Sequence, residues 1–282
     1  MQKNVLLTGS GGFVGKNLKE FFQQKYNLLC PRSFELDLTD FESVKSYFDS
    51  NDIDFVIHCA SKGGVRGLVD PQTCETDNLL MMKNILDSKK DDVKVIIFGS
   101  GAAYSKDRDL HKVKESQIGD VIPKDLYGKS KMELADLTLL RDDMLCLNIF
   151  ACYGKYEKES RFPTYAIKQN LKKELIVINK NVIFDYLYID DLCRIVEKFI
   201  YEFPKNRVIN VTPTQSVSLV EIAQMVNEIS GYKSDIEFKE LGLNYEYTGD
   251  NKLLLEEIPS FKFTPLMEGL TVLFNHCKKI LK

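Results

Sequence analysis

At 282 residues with 44% hydrophobic content, the chain is long enough for one large domain or two lobes, each with a buried core. Its 38 basic and 41 acidic side chains leave a formal net charge of −3 with no long run of one sign, which argues against nucleic acid and membrane surfaces and for small molecules as partners. Seven scattered cysteines (Cys30, Cys59, Cys74, Cys146, Cys152, Cys193, Cys277) without a C-x-x-C pair, and three isolated histidines (His58, His111, His276), exclude a disulfide framework and give no metal-ligand spacing, so no metal is expected.

In chain order, the first element is a short β-rich run, Val5–Leu7, followed by Gly9, Gly12 and Gly15 in G-x-x-G-x-x-G spacing. Val14, Leu18, Phe21 and Phe22 then recur at helical spacing. A strand is expected at Leu28–Cys30, and Thr39 with Glu42 forms a capping-box signature ahead of the Phe41, Val44, Phe48 stripe. Further strands fall at Phe55–Ile57, Val93–Phe98 and Leu145–Phe150, separated by helical patterns from about Pro71 to Lys89 and from Tyr127 to Arg141. These apolar runs are continuous rather than alternating, as in strands buried on both faces of a parallel sheet, and the repeated strand–helix order implies a doubly wound α/β fold. Beyond Cys152 the alternation loosens: a helix Phe162–Leu171, a strand Ile176–Ile178, a strand Val182–Tyr188, a helix opened by Asp190 and Asp191, a strand Val208–Val211, a second capping box at Ser218 and Glu221, and a final helix after Pro265. The organisation expected is a dinucleotide-binding domain over 1–152 and a smaller α/β substrate lobe over 153–282, with 184–211 returning to the main sheet. The apolar run after Met1 is too short for a signal-peptide core, and no stretch approaches the ~20 apolar residues of a membrane span, so the chain reads as cytoplasmic.

Three features carry chemistry. A strand, a glycine loop and a helix in succession place backbone N–H groups and a helix N-terminus at the carboxyl edge of a sheet, a site suited to a pyrophosphate, although an ordinary Gly-rich turn has the same composition. Tyr127 and Lys131, at i and i+4 of a helix, share a face, and a nearby ammonium favours phenolate over a phenol whose reference pKa is ~10. Ser100 ends a buried strand, where its hydroxyl either faces a ligand or caps the next turn. His58, on an apolar strand, reads as a hydrogen-bonded core histidine.

Together, "TGSGGFVG", "VIHCAS", "TDNLLMMKNIL", "LYGKSK" and "DYLYIDDLC" resemble the extended short-chain dehydrogenase/reductase family of nucleotide-sugar epimerases, dehydratases and ketoreductases, over nearly the whole chain. The resemblance implies a Rossmann-type fold, a catalytic set of Ser100, Tyr127 and Lys131, and hydride exchange between a nicotinamide and a sugar carbon. It further implies cofactor contacts at Gly9, Gly12, Phe13, Val14, Gly15, Asp37, Leu38, Cys59, Ala60, Ser61 and Asn78, with Tyr127 and Lys131 on the ribose, and a homodimer formed through the helices of Asn78 and Tyr127. NAD enzymes usually carry an acid at the end of the second strand. Here Arg32 and Ser33 stand there, which favours NADP with NAD as the alternative, unless Arg32 is only a solvated loop charge.

Departures from the family narrow the chemistry. Gly101 and Ala102 follow Ser100 where dehydratases carry an acid, so dehydration is not expected. The run "PRSFELDLTD" is similar to that of GDP-fucose synthases, but their cysteine acid/base falls at Ala102 and its histidine partner near Ser160 or Arg161, which argues against a double epimerisation. Phe184 stands where the family carries a phosphate-binding Arg and Ala151 where it carries an Asn, so Arg161, Lys168 or Lys172 is expected to supply the missing charge; the substrate candidates are Ser100, Ala102, Phe150, Arg161 and Lys168. The expected activity is NADP-dependent reduction of a 4-keto-6-deoxy nucleotide sugar for a cell-surface polysaccharide. The alternatives are a 4-epimerase that retains its nicotinamide and a catalytically silent NADP-binding module.

Overall fold

The computed structural model describes residues 2–65 and 67–281, which divide into two compact units. The first comprises the residues up to Lys106 together with Glu115–Asn148 and Val196–Ile209; the second comprises Asp107–Lys114, Ile149–Ile195 and the chain from Asn210 onward.

In chain order the elements are β1 (Asn4–Thr8), α1 (Phe13–Phe22), β2 (Asn27–Leu29), α2 (Phe41–Ser50), β3 (Phe55–His58), α3 (Cys74–Ser88) and β4 (Lys94–Ser100), the last running into a 3-10 turn over Gly101–Tyr104. β5 (Leu110–Val113), α4 (Leu126–Leu139), β6 (Met144–Ile149), β7 (Ala151–Tyr153), α5 (Phe162–Leu171), β8 (Ile176–Ile178), β9 (Ile183–Phe184), β10 (Tyr186–Tyr188) and α6 (Ile189–Tyr201) follow. The chain ends through β11 (Val208–Val211), β12 (Val217–Ser218), α7 (Leu219–Ser230), β13 (Ile236–Phe238), β14 (Tyr247–Gly249), α8 (Lys252–Glu257) and α9 (Leu266–Ile280).

The first unit is built on a six-stranded sheet of order β11-β6-β4-β3-β1-β2, in which β1 pairs in parallel with both β2 and β3, and β3 with β4. All four residues of β3 are buried, as a strand covered on both faces requires. On one face Leu6, Val56, Val95 and Ile97 pack with Met82 and Ile85 of α3 and Leu134 and Ala135 of α4. Full burial of each large aliphatic side chain is worth about 1.5–3 kcal/mol. The strand order reverses between β1 and β3, and such a switch point opens a crevice at the carboxyl ends of the two strands, where the glycine loop and Cys59 lie.

In the second unit β10 pairs with β7, β13 with β8, and β12, β9, β14 and β5 form a four-stranded sheet. Helices α5, α7 and α9 bury Ala166, Ile167, Ile222, Ala223, Val226, Leu270 and Leu273. Of the stretch 184–211, β11 joins the six-stranded sheet, whereas Phe184 and Tyr186–Tyr188 belong to two smaller ones.

Several local expectations are corrected. The strand expected over Val182–Tyr188 is broken at Asp185, whose fully buried carboxylate accepts from Lys112 Nζ (3.0 and 3.2 Å), Ser216 Oγ (2.7 Å) and the Gly249 N–H (2.9 Å). Asp40, not Thr39, caps α2, accepting from the Glu42 N–H at 3.1 Å, while Thr39 donates both its N–H and hydroxyl to Asp37 Oδ1. The helix expected from Pro71 begins at Cys74, and the second strand ends at Leu29. The second capping box is present as read, with Ser218 and Glu221 bonded reciprocally.

Candidate active site

The glycine loop divides by what confines it. Gly9 has φ +65°, and a Cβ there would lie 2.4 Å from Ala60 N; a Cβ on Gly15 would lie 2.2 Å from Gly9 O. Both glycines are demanded by the protein's own backbone, which packs loop against strand end and helix. Gly12 is different: its Cβ would meet only Gly9 O, at an ordinary 3.4 Å, yet it is the exposed N-cap of α1 and no side chain caps that helix. The bare N-terminus, with Phe13 and Val14 half-buried in its first turn, therefore suits an anion brought from outside. Arg32 and Ser33 are exposed just past β2; the Arg32 N–H donates to Glu35 Oε2 (2.7 Å) and its carbonyl accepts from the Glu35 and Leu36 N–H groups, which fixes the backbone and leaves the exposed guanidinium for a ribose 2′-phosphate. Asp37 is exposed and Leu38 buried in the core, its carbonyl accepting from Asn84. The residues present fit a dinucleotide of the NADP kind.

Lys131 is 6% exposed, donates from Nζ to Phe98 O of β4 at 2.8 Å, and sits 5.4 Å from the Tyr127 ring centroid. The strand end thus fixes the ammonium beside the phenol. Tyr127, in the first turn of α4, is anchored by its N–H to Asp70 Oδ2 (3.1 Å), and a Cβ on Gly64 (φ +69°) would fall 2.7 Å from its Cζ, so the loop packs on the ring. Asn78 accepts from Lys62 N (2.8 Å) and donates to Lys62 O and Ser130 Oγ (3.1 and 3.0 Å), while Ser130 Oγ donates to Tyr127 O (2.8 Å). Asn78 therefore ties the loop after Cys59, Ala60 and Ser61 to the Tyr127 turn. Ser100 caps the 3-10 turn by accepting from the Ala102 N–H (3.1 Å). The capping and ligand-facing readings are compatible, because that acceptor bond leaves the Ser100 O–H free to donate. Ala102 is buried in the same turn, against Gly128 of α4.

His58 is the core histidine expected: Nδ1 pairs with Thr8 Oγ1 at 2.8 Å, and burial, then the charge on Lys131, push its pKa down to about 3. Burial pushes the Cys146 thiol up to about 12, which leaves it inert packing. Among the described residues no cluster of His, Cys, Asp or Glu has metal-binding geometry, and no helix is long and apolar enough to cross a membrane.

In the second unit Phe150 packs at a tilt on Tyr247 (centroids 5.3 Å) and against Gly249, and Phe184 joins the same aromatic group through Tyr247 (5.8 Å) and Tyr186 (5.5 Å). Phe184 is therefore packing, and Ala151 is buried in the β7–β10 pairing. Arg161 is half-buried at the N-cap position of α5, and Lys168, farther along α5, is paired with Glu159. Sequence reasoning missed Asp70, Gly64 and the buried Glu157; for Gly64 and Asp70 the only signal was the Gly63–Gly64 pair ahead of an isolated acid.

The sequence profile of the NAD dependent epimerase/dehydratase family matches residues 5–212. The chain is 28% identical to a GDP-L-colitose synthase of Yersinia pseudotuberculosis, with 89% of this chain and 91% of that protein covered. It is 24% identical to a GDP-6-deoxy-D-talose 4-dehydrogenase of Aggregatibacter actinomycetemcomitans (96% and 97% covered). A GDP-mannoheptose C4 reductase of Campylobacter jejuni, solved with NADP bound, superimposes with a TM-score of 0.84 over 98% of both chains at 18% identity, which establishes a shared fold. With the profile spanning the glycine loop, Ser100, and the Tyr127–Lys131 turn, the chain belongs to the NAD dependent epimerase/dehydratase family.

Proposed function

We propose that this chain reduces the 4-keto group of a 4-keto-6-deoxy nucleotide sugar with NADPH, as a cytoplasmic homodimer serving cell-surface polysaccharide synthesis. The observation that carries the reading is the buried Lys131 ammonium, held at 2.8 Å on Phe98 O beside the Tyr127 phenol. Bound NADPH supplies the hydride to the sugar carbon. Tyr127 donates its proton to the carbonyl oxygen as charge builds there, and Lys131 stabilises the phenolate left behind, an effect strengthened by burial. Ser100, whose oxygen accepts from the Ala102 N–H, donates a hydrogen bond to the same carbonyl oxygen and keeps its proton.

What narrows the reaction to a 4-keto reduction or a 4-epimerisation is what the turn after Ser100 lacks. Gly101 and Ala102 offer no acid to expel a hydroxyl and no thiol to abstract a proton next to the carbonyl. Arg161, half-buried at the start of α5, is the cation we assign to the substrate's diphosphate, with Phe150 and Lys168 as further contacts. The GDP-sugar names of the relatives make guanosine the first base to try. The test is the fall in reduced-nicotinamide absorbance with NADPH, then NADH, and freshly generated 4-keto-6-deoxy sugars of GDP, dTDP and UDP. Substrate-dependent NADPH oxidation is expected with the GDP sugar; tight NADP binding with no oxidation by any of them would overturn the reductase and point to a 4-epimerase.

A further inference from the structure

Glu157 lies between β7 and α5 and is 8% exposed. Its Oε1 accepts from the N–H and hydroxyl of Thr164, at 3.0 and 2.6 Å, and so performs for α5 the capping that the N-cap residue, Arg161, does not. Its Oε2 is buried without a hydrogen-bond partner. A short Ser or Asp at the helix start would cap as well and leave nothing orphaned, so capping alone does not account for a buried glutamate.

The groups around it narrow what else it does. Arg161 and Thr164 face it from α5, Cys152 and Tyr153 from β7, and Cys277 from α9; farther out, Asp191 acts on Tyr153, and Lys168 and Glu159 on Cys277. Arg161 is the positive charge next to the carboxyl, yet among the described residues its guanidinium enters no hydrogen bond or ion pair. A half-buried guanidinium and a buried carboxyl with one spare oxygen thus end successive turns of the β7–α5 connection, the charge of one acting on the other with no ion pair between them. Burial pushes the carboxyl pKa up to about 7, against the pull of the Thr164 bonds, of the Arg161 charge and of the Gly154 backbone N–H, so both forms are populated near neutrality.

We infer that Glu157 is a positioning residue that sets how strongly Arg161 holds an anionic ligand: ionised, it competes for the guanidinium; protonated on Oε2, it keeps the Thr164 cap on Oε1 and frees the guanidinium for a diphosphate. The inference rests on the assignment of Arg161 to the substrate's diphosphate made above. The affinity for a nucleotide sugar then rises as pH falls through neutrality, with one proton taken up.

The test uses GDP-mannose, whose diphosphate carries no proton that titrates between pH 6 and 8, titrated calorimetrically into the NADP-loaded protein across that range. One linked proton near pH 7 weakens wild-type binding about tenfold from pH 6 to pH 8. Glu157→Gln keeps an acceptor for Thr164, and its affinity stays within twofold of the wild-type pH 6 value throughout; Arg161→Ala binds at least tenfold more weakly at pH 6 and shows no pH dependence. A wild-type affinity that is flat with pH overturns the inference whatever the variants do. So does a Glu157→Gln protein that retains the wild-type slope while Arg161→Ala is weakened, an outcome that leaves the diphosphate assignment standing. If Arg161→Ala binds like the wild type, the assignment itself is wrong and the inference falls with it.

Discussion

Lys131 in the first unit and Arg161 in the second, the cations assigned to proton transfer and to the substrate's diphosphate, are held in opposite ways. Lys131 is buried, bonded to the Phe98 carbonyl, and set beside a tyrosine whose own backbone is fixed through Asp70, Ser130 and Asn78. Arg161 is half-buried at a helix start, next to a carboxyl with a spare oxygen. Proton transfer needs donor and acceptor fixed before the substrate arrives, whereas a binding cation gains most if its hydrogen bonds are unspent until the ligand supplies them. The contrast is between a preorganised turn and an adjustable one.

The largest effect expected falls on the fixed turn. Tyr127→Phe removes the proton donor and leaves the ring packed on Gly64, so turnover drops by about 10³-fold or more while NADPH affinity changes less than threefold. Lys131→Met loses turnover to a similar extent and weakens NADPH as well, which single-turnover rates and cofactor fluorescence titration separate. Full activity in Tyr127→Phe would remove the comparison altogether.

The glycine loop contains the same contrast on a smaller scale. Gly9→Ala and Gly15→Ala drive a Cβ to within 2.4 and 2.2 Å of backbone atoms, so each costs about 3 kcal/mol or more in urea unfolding. Gly12→Ala meets no such barrier and costs under about 1 kcal/mol, yet weakens NADPH at least tenfold, because its Cβ enters the space in front of the bare α1 N-terminus. Equal destabilisation by all three would mean that the whole loop is structural. Smaller again is Arg32→Ala, expected to weaken NADPH about tenfold and NADH hardly at all, because only the former carries the 2′-phosphate.

The fixed half of this arrangement was legible in the sequence and the adjustable half was not. Tyr127 and Lys131 declare themselves because i and i+4 on a helix share a face, and Ser100 because it ends a continuous apolar strand. The strand–glycine–helix order is likewise written in the chain itself, as a strand, spaced glycines and an amphipathic stripe in succession. By contrast, Thr39 and Asp40 are both competent caps, and only the backbone path decides for Asp40. The break at Asp185 is invisible in the apolar run around it, because the partners that bury that carboxylate, Lys112, Ser216 and Gly249, come from distant segments. Glu157, within "KYEKESR", looks like one more solvated charge; its burial follows from α9 and β7 closing over it, which no local pattern encodes.

That burial sets Glu157 against His58 in the stability of the protein. His58 is held down at about 3 by burial and by Lys131, so the folded chain keeps it neutral while the unfolded chain takes up a proton below about pH 6.5. Its contribution is therefore lost as pH falls from about 6.5 toward 3. Glu157 is raised to about 7 against an unfolded value near 4.3, so the folded chain holds the extra proton and its contribution grows as pH falls from about 7 to 4.3. Each group alone gives a slope of about 1.4 kcal/mol per pH unit. The two slopes have opposite signs and offset each other between about pH 6.5 and 4.5. Glu157→Gln removes one of them, so the variant's stability, measured by urea unfolding from pH 5 to 8, falls relative to wild type below about pH 7 by roughly that slope. A constant difference between the two proteins would mean that Glu157 keeps an ordinary pKa in the folded chain. Where the difference does bend, its midpoint should coincide with that of the GDP-mannose affinity, since both report the proton on Oε2; two separate midpoints would uncouple the buried acid from Arg161.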